Sequence, residues 1–236
     1  MAISRGPRII NNGLVLCLDA ANRNSYSGTG TTWNDVGGFD CTGTLTNGPT
    51  FNSSNLGNIV FDGSNDFVDV TNTAANFGFA NTSFTVSIWY RQSSLSNGAL
   101  ISKNGATSGW SVWTVFDGTI VSYMKNGSSS DNYTRFTSSV VSPNTWLNIV
   151  SVFTTSTTVA GNNSIINYVN GVVNAGTVTT TSLTYGTDTS SNIFLGRRTT
   201  SPYLNGSIAS VHIYNRGLSA SEVLFNYNAI KYRFGL

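Results

Sequence analysis

The feature that most constrains the fold of this chain is a long series of short apolar runs separated by turn-forming residue pairs. Asp117-Gly118 and Asn170-Gly171 are such pairs, because Asn, Asp and Gly tolerate the positive φ angles of a two-residue hairpin. Between the turns, residues 84, 86, 88 and 90 are apolar or aromatic and point to one side of a predicted strand. Many short strands joined by turns predict an all-β fold, an antiparallel β-sandwich.

The pattern predicts one domain over residues 13–236, preceded by an arm at residues 1–12 that has no periodic pattern. We expect residues 22–43 to form a long polar loop, and Asn205-Gly206 to form a tight turn before the last strand. Strands are predicted at residues 14–19, 59–61, 67–70, 84–91, 99–103, 110–116, 120–124, 133–138, 146–153, 164–169, 172–178, 193–196 and 207–214.

A short amphipathic helix is predicted at residues 219–231, after the last strand. Ser219 and Glu222 have the spacing of a capping box, in which each side chain binds a free backbone amide of the first turn. Apolar residues follow at helical spacing, so this helix should dock on the sandwich. They are Val223, Leu224, Tyr227 and Ile230.

The segment from Gly206 to Val223 resembles the last strand and terminal helix of the laminin G-like, concanavalin A-like jelly roll. Five earlier segments resemble parts of the same family in the same order, and the resemblance extends over roughly residues 13 to 230. It implies a jelly-roll sandwich, a fold that carries lectins, glycosidases, adhesion modules and virion proteins alike. The five segments are residues 13–22, 59–68, 84–89, 146–150 and 168–171.

Charged residues make up only 9% of the chain, and small polar residues take the solvated positions instead. Such a surface suits a protein in an assembly or one that binds neutral polar partners such as sugars, and a plain structural β protein can share it. The net charge is +2 without a basic stripe, which argues against nucleic-acid binding. No apolar run predicts membrane insertion, and the N-terminus has no secretory pattern, so we expect a cytosolic site of synthesis.

The sequence predicts no catalytic residues. Glu222 is the only glutamate, and the Glu-x-Asp-x-x-Glu strand of the glucanases that share the resembling sandwich is absent. His212 is the only histidine, and a lone histidine in a terminal strand is more often hydrogen-bonded or on the surface than catalytic. Cys17 and Cys41 do not make a disulfide framework, although a single bridge between them stays open.

Two sets of ligand-binding side chains are candidates. Asp62 and Asp66 flank a polar loop that can hold calcium, as many domains of the resembling family do, or that is an ordinary turn. We predict no other cofactor. Sugar binding would use aromatic rings near turns and strand ends, whereas Trp89 and Trp146 are expected in the core. The candidate rings are Trp33, Trp110, Trp113, Tyr133, Tyr185 and Tyr203.

The leading hypothesis is a non-enzymatic structural protein of a tailed bacteriophage virion, either a capsid decoration or a tail or fibre component. Its partners would be other virion proteins, further copies of itself and cell-surface glycans, with assembly in the host cytoplasm. A free carbohydrate-binding module or lectin is the alternative, and a glycoside hydrolase relic is the third. The arm would dock on a partner or else be a frayed end. Its docking residues would be Ile3, Arg5, Arg8, Ile9 and Ile10.

Overall fold

A computed structural model describes residues 8–71, 76–104, 108–126, 133–157, 164–180, 185, 188, 190–199 and 201–236. In these ranges the chain forms seventeen strands and one α-helix. The elements are β1 Leu14–Asp19, β2 Thr32–Asn34, β3 Thr42–Thr46, β4 Thr50–Asn52, β5 Asn58–Asp62, β6 Phe67–Thr71, β7 Ser83–Gln92, β8 Gly98–Asn104, β9 Ser108–Thr114, β10 Thr119–Asn126, β11 Tyr133–Ser139, β12 Trp146–Thr154, β13 Ser164–Val169, β14 Val172–Val173, β15 Thr177–Thr180, β16 Ile193–Leu195, β17 Asn205–Tyr214 and α1 Ala220–Ile230.

The strands form two antiparallel sheets that pack face to face as a jelly-roll sandwich, as the alternating pattern predicts. An eight-stranded sheet has the order β14-β13-β12-β7-β17-β5-β4, with β1 paired to β17 beside β5; we call it the helix-side sheet. A nine-stranded sheet has the order β15-β11-β10-β9-β8-β16-β6-β3-β2; we call it the open sheet. In the described residues no helix is long and apolar enough to cross a membrane.

The main core lies between the two sheets and is built by alternation along the strands. In β7 the predicted inward set of Phe84, Val86, Ile88 and Tyr90 is fully buried in this core. Trp89 points the other way yet is also buried, in a separate cluster. Because both faces of β7 are covered, the helix-side sheet must have a further layer outside it.

That further layer is made by α1 and the 3-10 turn Lys231–Phe234 that follows it. Trp89 stacks on Phe234 with ring centroids 4.4 Å apart and on Tyr227 at 5.6 Å. Trp146 contacts the same Phe234 ring at 4.6 Å. Aromatic pairs of this kind add roughly 0.5–1.5 kcal/mol each beyond the area they bury. The C-terminal segment is therefore part of the packed fold.

The predicted capping box is confirmed at the start of α1. The Ser219 hydroxyl accepts a bond from the Glu222 backbone amide, and the Glu222 carboxylate accepts one from the Ser219 amide at 2.9 Å. Val223 and Ile230 are buried as predicted, but Leu224, which lies near Gly171 in the turn between β13 and β14, is 43% exposed. The buried polar residue Asn226 bonds the Tyr214 hydroxyl at 3.0 Å.

The end of the predicted arm packs on this layer. Asn226 Oδ1 accepts a bond from the Ile10 amide at 2.8 Å, and Ile9 packs with the Trp89 cluster. Arg8, by contrast, is exposed. Ile9 and Ile10 thus already cover apolar surface of the chain itself, and docking of the arm on a partner stays a prediction. Ile3 and Arg5 lie outside the described residues.

Three other sequence predictions are wrong. Asn205 and Gly206 do not form a turn, because they are the first two residues of β17. A Cβ at position 206 would lie 2.3 Å from the Arg91 carbonyl oxygen. Glycine is therefore needed there for the close approach of the two strands. Residues 22–43 contain β2 and the start of β3 rather than one loop. The single strand predicted at 172–178 is two strands, since β14 pairs in the helix-side sheet and β15 in the open sheet.

Candidate functional site

The outer face of the open sheet carries no described helix, and half-exposed aromatic residues lie on it. A row of side chains in register crosses this face, because directly opposed residues of antiparallel strands share a side. Phe194 pairs with both Asp69 and Ser102, and Ser111 pairs with both Ser102 and Tyr123. The row begins at Thr32, opposite Thr44, and Thr44 in turn lies opposite Asp69.

The segment that follows β16 covers the middle of this row. The Ser102 hydroxyl donates to the Arg197 carbonyl at 2.9 Å, which leaves Ser102 fully buried. The Arg197 guanidinium lies 3.6 Å from the Phe67 ring centroid and 4.0 Å from that of Phe194. Its Nε is buried and has no hydrogen-bond partner among the described residues. Arg197 therefore acts as a packed structural cation that fixes this segment to the sheet.

The guanidinium of the next residue, Arg198, has a different environment from that of Arg197. Its guanidinium lies over the Trp113 ring, 4.9 Å from the centroid, and the described residues include no carboxylate that forms an ion pair with it. Trp113 meets Tyr123 edge to face, with ring centroids 5.5 Å apart. Lys125 follows Tyr123 by two residues on β10 and so projects from the same face. We call Trp113, Tyr123, Lys125 and Arg198 the aromatic–cation patch; all four are half-buried.

Two cations of this patch influence each other. Burial lowers the pKa of the Lys125 ammonium, and the nearby positive charge of Arg198 lowers it further. The negative charge of Asp188, which is itself buried, opposes these two effects. Burial raises the pKa of Asp188, but hydrogen bonds from Ser190 and Ser191 outweigh that effect. The pKa of the Asp188 carboxyl is therefore below its ordinary value. The patch thus holds two cations, and the ionised Asp188 carboxylate acts on one of them, Lys125.

The six predicted sugar-binding aromatics do not lie together. Trp33 and Trp110 are fully buried in the main core, and Tyr185 is 2% exposed, so none of these three offers a ring face to a ligand. The side chain of Tyr133 lies outside the described residues. Trp113 belongs to the aromatic–cation patch, and Tyr203 forms a backbone bridge with Arg197 in the segment beside it. Burial therefore removes Trp33, Trp110 and Tyr185 as sugar platforms, and sugar binding at Trp113 and Tyr203 stays a prediction.

Sequence reasoning missed Tyr123, Lys125 and Arg198. The alternation of β10 places residues 123 and 125 on one face, but it does not say which face lies outside. Trp33 was misplaced because β2 was taken for part of a loop, and a three-residue strand has too short a pattern to recognise.

The calcium candidates are already occupied as hydrogen-bond acceptors. Asp62 Oδ1 accepts the Ser64 amide at 2.8 Å, and this bond lowers the pKa of the Asp62 carboxyl. Asp66 is buried, which raises its pKa, and its Oδ2 accepts the Asp62 amide at 3.0 Å. Within the described ranges no three His, Cys, Asp or Glu side chains cluster as metal ligands. Calcium at this loop stays a prediction beside the ordinary-turn alternative.

A cleft on the opposite side of the molecule is the second candidate. It has a volume of about 610 Å³ and lies between β1, β17, the arm and the C-terminal turn. The buried Arg233 guanidinium donates to Asp19 at 2.9 Å at its base, which ties the C-terminus to β1. His212 stands directly opposite Cys17 in the β1–β17 pairing and is buried, not on the surface. Tyr232, 58% exposed, lies at the rim.

The chemistry of this cleft does not suit nucleophilic catalysis. Burial lowers the pKa of His212 to about 4, although Asp19 opposes the shift. Burial, together with Asp19 and Asp35, raises the pKa of the Cys17 thiol to about 12. Both groups are neutral at pH 7, whereas a cysteine nucleophile needs its thiolate form. Cys17 and Cys41 are free and buried, so the bridge left open by the sequence is absent.

Comparison with known proteins places this geometry in a family. The family model described as the concanavalin A-like lectin/glucanases superfamily matches residues 62–224. Among solved structures, the binding domain of botulinum neurotoxin DC in complex with SialylT is similar at a TM-score of 0.69 and 17% identity, covering 94% of this chain and 52% of that one. The receptor-binding domain of the botulinum neurotoxin C/D mosaic serotype gives a TM-score of 0.70 at 16% identity, covering 93% and 52%.

A third similar structure is the serotype D ligand-binding domain in complex with N-acetylneuraminic acid, with a TM-score of 0.65, 15% identity and coverage of 93% of this chain and 51% of that one. This chain therefore spans about half the length of the toxin chains that it matches. At these identities the likeness establishes the fold. No curated protein sequence matches the chain.

Proposed function

Because this chain belongs to the concanavalin A-like lectin/glucanases superfamily, we propose that it is a non-catalytic glycan-binding module whose ligand lies on the aromatic–cation patch. The observation that carries the proposal is the half-exposed Trp113 ring, bordered by Tyr123 and Arg198 on a sheet face without a described helix. A pyranose has one apolar C–H face and a ring of hydroxyls. An indole beside hydrogen-bonding cations matches both surfaces.

Two features favour binding over hydrolysis. Glycosidases require a pair of carboxyl groups that flank the scissile bond. The only glutamate, Glu222, is on the covered side, and the Arg216 guanidinium holds its pKa down to about 2. On the open sheet, Asp69 lies in the cross-strand row, and its Oδ1 accepts a bond from the Asn192 amide at 2.8 Å. Glu222 is therefore held as a carboxylate by its ion pair with Arg216, and Asp69 is engaged by Asn192.

The similar toxin domains support a glycan in particular. These domains have been solved in complex with SialylT, with N-acetylneuraminic acid and with rat synaptotagmin II, and one of them interacts with two ganglioside molecules. A virion structural role, as capsid decoration or tail component, stays a prediction, since neither the family description nor these toxin structures concern a virion protein. A glycan-binding module is compatible with that role as well as with a free lectin.

A glycan array with matched variants tests the proposal. We expect the parent protein to bind at least one glycan, Trp113→Ala to lose that binding, and Tyr232→Ala to keep it. Tyr232 is the matched control, because it is an exposed aromatic residue at the helix-side cleft. If Tyr232→Ala lost glycan binding and Trp113→Ala kept it, the binding site would lie in the cleft instead. Release of reducing ends from the bound glycan would contradict a non-catalytic role.

A further inference from the structure

We infer that the cleft between β1, β17 and the C-terminal turn binds a small uncharged ligand with an apolar body and a hydroxyl or amide head, and that the His212 imidazole hydrogen-bonds this head. The cleft lies on the other sheet from the aromatic–cation patch, so this ligand is independent of the proposed glycan. Three features of the cleft point to it: its apolar walls, an imidazole without a partner, and charges that are already paired or suppressed.

The cleft has the size and the lining of a small-molecule site. Its volume of about 610 Å³ is within the roughly 300–1,000 Å³ of clefts that hold small organic ligands. Two of its aliphatic side chains, Leu56 and Val36, are 63% and 39% exposed, and the Tyr232 ring adds an aromatic surface at the rim. Apolar area is therefore open to a ligand body. The aliphatic lining consists of Ile9, Leu14, Val36, Leu56 and Ile230.

The His212 side chain supplies the polar contact at the base of the cleft. Its neighbours in β17, Val211 and Ile213, pack in the main core, so alternation turns the imidazole outward to the cleft. His212 is 3% exposed, and no residue in the described part of the chain forms a hydrogen bond with its ring. A neutral imidazole has one N–H donor and one acceptor nitrogen. A bound hydroxyl or amide would give this buried group the partner that it lacks.

The charges at the base of the cleft argue against an ionic head. The Arg233 guanidinium is 2% exposed and is committed to Asp19 and to two backbone carbonyls. Burial lowers the pKa of His212 to about 4 and raises that of Cys17 to about 12, so both groups are held neutral. A charged head would lose its hydration there and find its ionic partners already paired. Arg23, the remaining charged residue of the lining, is exposed to solvent.

Three probes that share one body and differ in the head test the inference: p-cresol, toluene and p-toluate. At pH 7 we expect p-cresol to bind about tenfold more tightly than either of the others, because it alone brings a neutral hydrogen-bonding head. His212 is the only histidine of the chain, so its ring signals in a long-range ¹H–¹⁵N correlation spectrum report the contact directly. These signals should shift with saturation as p-cresol is titrated in.

Two variants separate the head contact from the body contact. His212→Phe should lose the preference for p-cresol over toluene, because a phenyl ring offers no hydrogen bond to the head; the backbone amide signals of Ala21 and Tyr232 then report binding. Leu56→Ala should weaken p-cresol binding about threefold and leave the melting temperature unchanged, since the side chain is largely exposed. Leu95→Ala is the matched control, because Leu95 is 43% exposed and is not part of the cleft lining.

The parent protein and the two leucine variants decide the question even if His212→Phe does not fold. Absence of p-cresol binding up to its solubility would overturn the inference. Binding that leaves the His212 ring signals in place, or p-toluate binding as tight as that of p-cresol, would overturn it as well. Equal loss of affinity in Leu56→Ala and Leu95→Ala would place the probe outside the cleft and contradict the assignment. Glycan binding at Trp113 is measured separately and is unaffected by these results.

Discussion

Both sheets of this sandwich carry tryptophans on their outer faces, but the tryptophans differ in their exposure to solvent. On the helix-side sheet Trp89 and Trp146 are buried under Tyr227 and Phe234. On the open sheet the Trp113 ring contacts Tyr123 and Arg198 and stays half-exposed. An outward aromatic residue is therefore structural or available to a ligand according to whether the chain supplies a second layer above it.

The C-terminal segment decides this difference. It is held at its start by the capping box at Ser219 and at its end by the ion pair of Arg233 with Asp19. Asn55 adds a further link, since its Nδ2 donates to the Arg233 carbonyl and its Oδ1 accepts from the Trp146 indole. These contacts lock the cover onto one sheet. The open sheet has no equivalent cover in the described part of the chain.

The largest expected effect comes from equal truncations on the two faces. Trp89→Ala should lower the free energy of unfolding by about 3–5 kcal/mol, because it leaves a cavity under Tyr227 and Phe234. Trp113→Ala should cost only about 1 kcal/mol, since the ring is partly solvated already. Urea denaturation midpoints of both variants measure the difference. Similar losses in the two variants would mean that the open sheet is covered as well.

Lowering the pH is expected to have an intermediate effect on the free energy of unfolding, through His212 in the helix-side sheet. The folded-state pKa of His212 is about 4, below the unfolded value of 6.5, so the unfolded chain binds more protons between these values. The free energy of unfolding should fall as the pH drops from 6.5 to 4, by up to roughly 3 kcal/mol. The His212→Asn variant should make the free energy of unfolding nearly independent of pH in this range. It leaves unchanged the groups that surround the His212 ring, which are Cys17, Asp19 and Arg233.

Glu222 gives a separate acid window that serves as an internal check. Its pKa is lowered from 4.5 to about 2 by Arg216, so its stabilising contribution is full above pH 4.5 and is lost only as the pH falls toward 2. A stability profile that is flat between pH 6.5 and 4.5 in the parent protein would show that His212 is accessible to protons in the native state, contrary to its burial.

The smallest expected effect concerns the cap that fixes the cover. Ser219→Ala should cost about 1 kcal/mol, because it removes the side-chain acceptor of the Glu222 amide. Ser53→Ala is the matched control: Ser53 precedes the 3-10 turn Ser54–Leu56 and makes no side-chain cap bond. Its stability in urea should equal that of the parent. Equal stability of Ser219→Ala and the parent would show that the box does not hold α1.

Sequence patterns predicted the fold in those parts where local chemistry decides it. Asp117-Gly118 and Asn170-Gly171 form hairpin turns, with Gly118 at φ 81°, Asn170 at 51° and Gly171 at 80°. The alternation of β7 identified its inward set correctly. The turn prediction at Asn205-Gly206 was wrong, because a glycine is also needed where two strands approach closely. Only the position of the Arg91 backbone next to Gly206 shows which of the two roles applies.

The candidate site was less predictable than the fold. Alternation along β9 puts Trp110 and Trp113 on opposite faces, but it does not say which of the two faces the core. Arg198 meets Trp113 across more than eighty positions of sequence, and no spacing rule connects them. Contacts set by the pairing of distant strands are visible only after the sheets are assembled.

The most direct test of the central claim, that the ligand binds on the open sheet, uses the five tryptophans of the chain as reporters. A ¹H–¹⁵N correlation spectrum resolves each indole N–H, and a glycan identified on the array is titrated in. We predict that the Trp113 indole resonance shifts with saturation, while those of Trp33, Trp89, Trp110 and Trp146, which are buried, stay in place. A shift at Trp89 or Trp146 with Trp113 unchanged would place the ligand on the helix side and contradict the account.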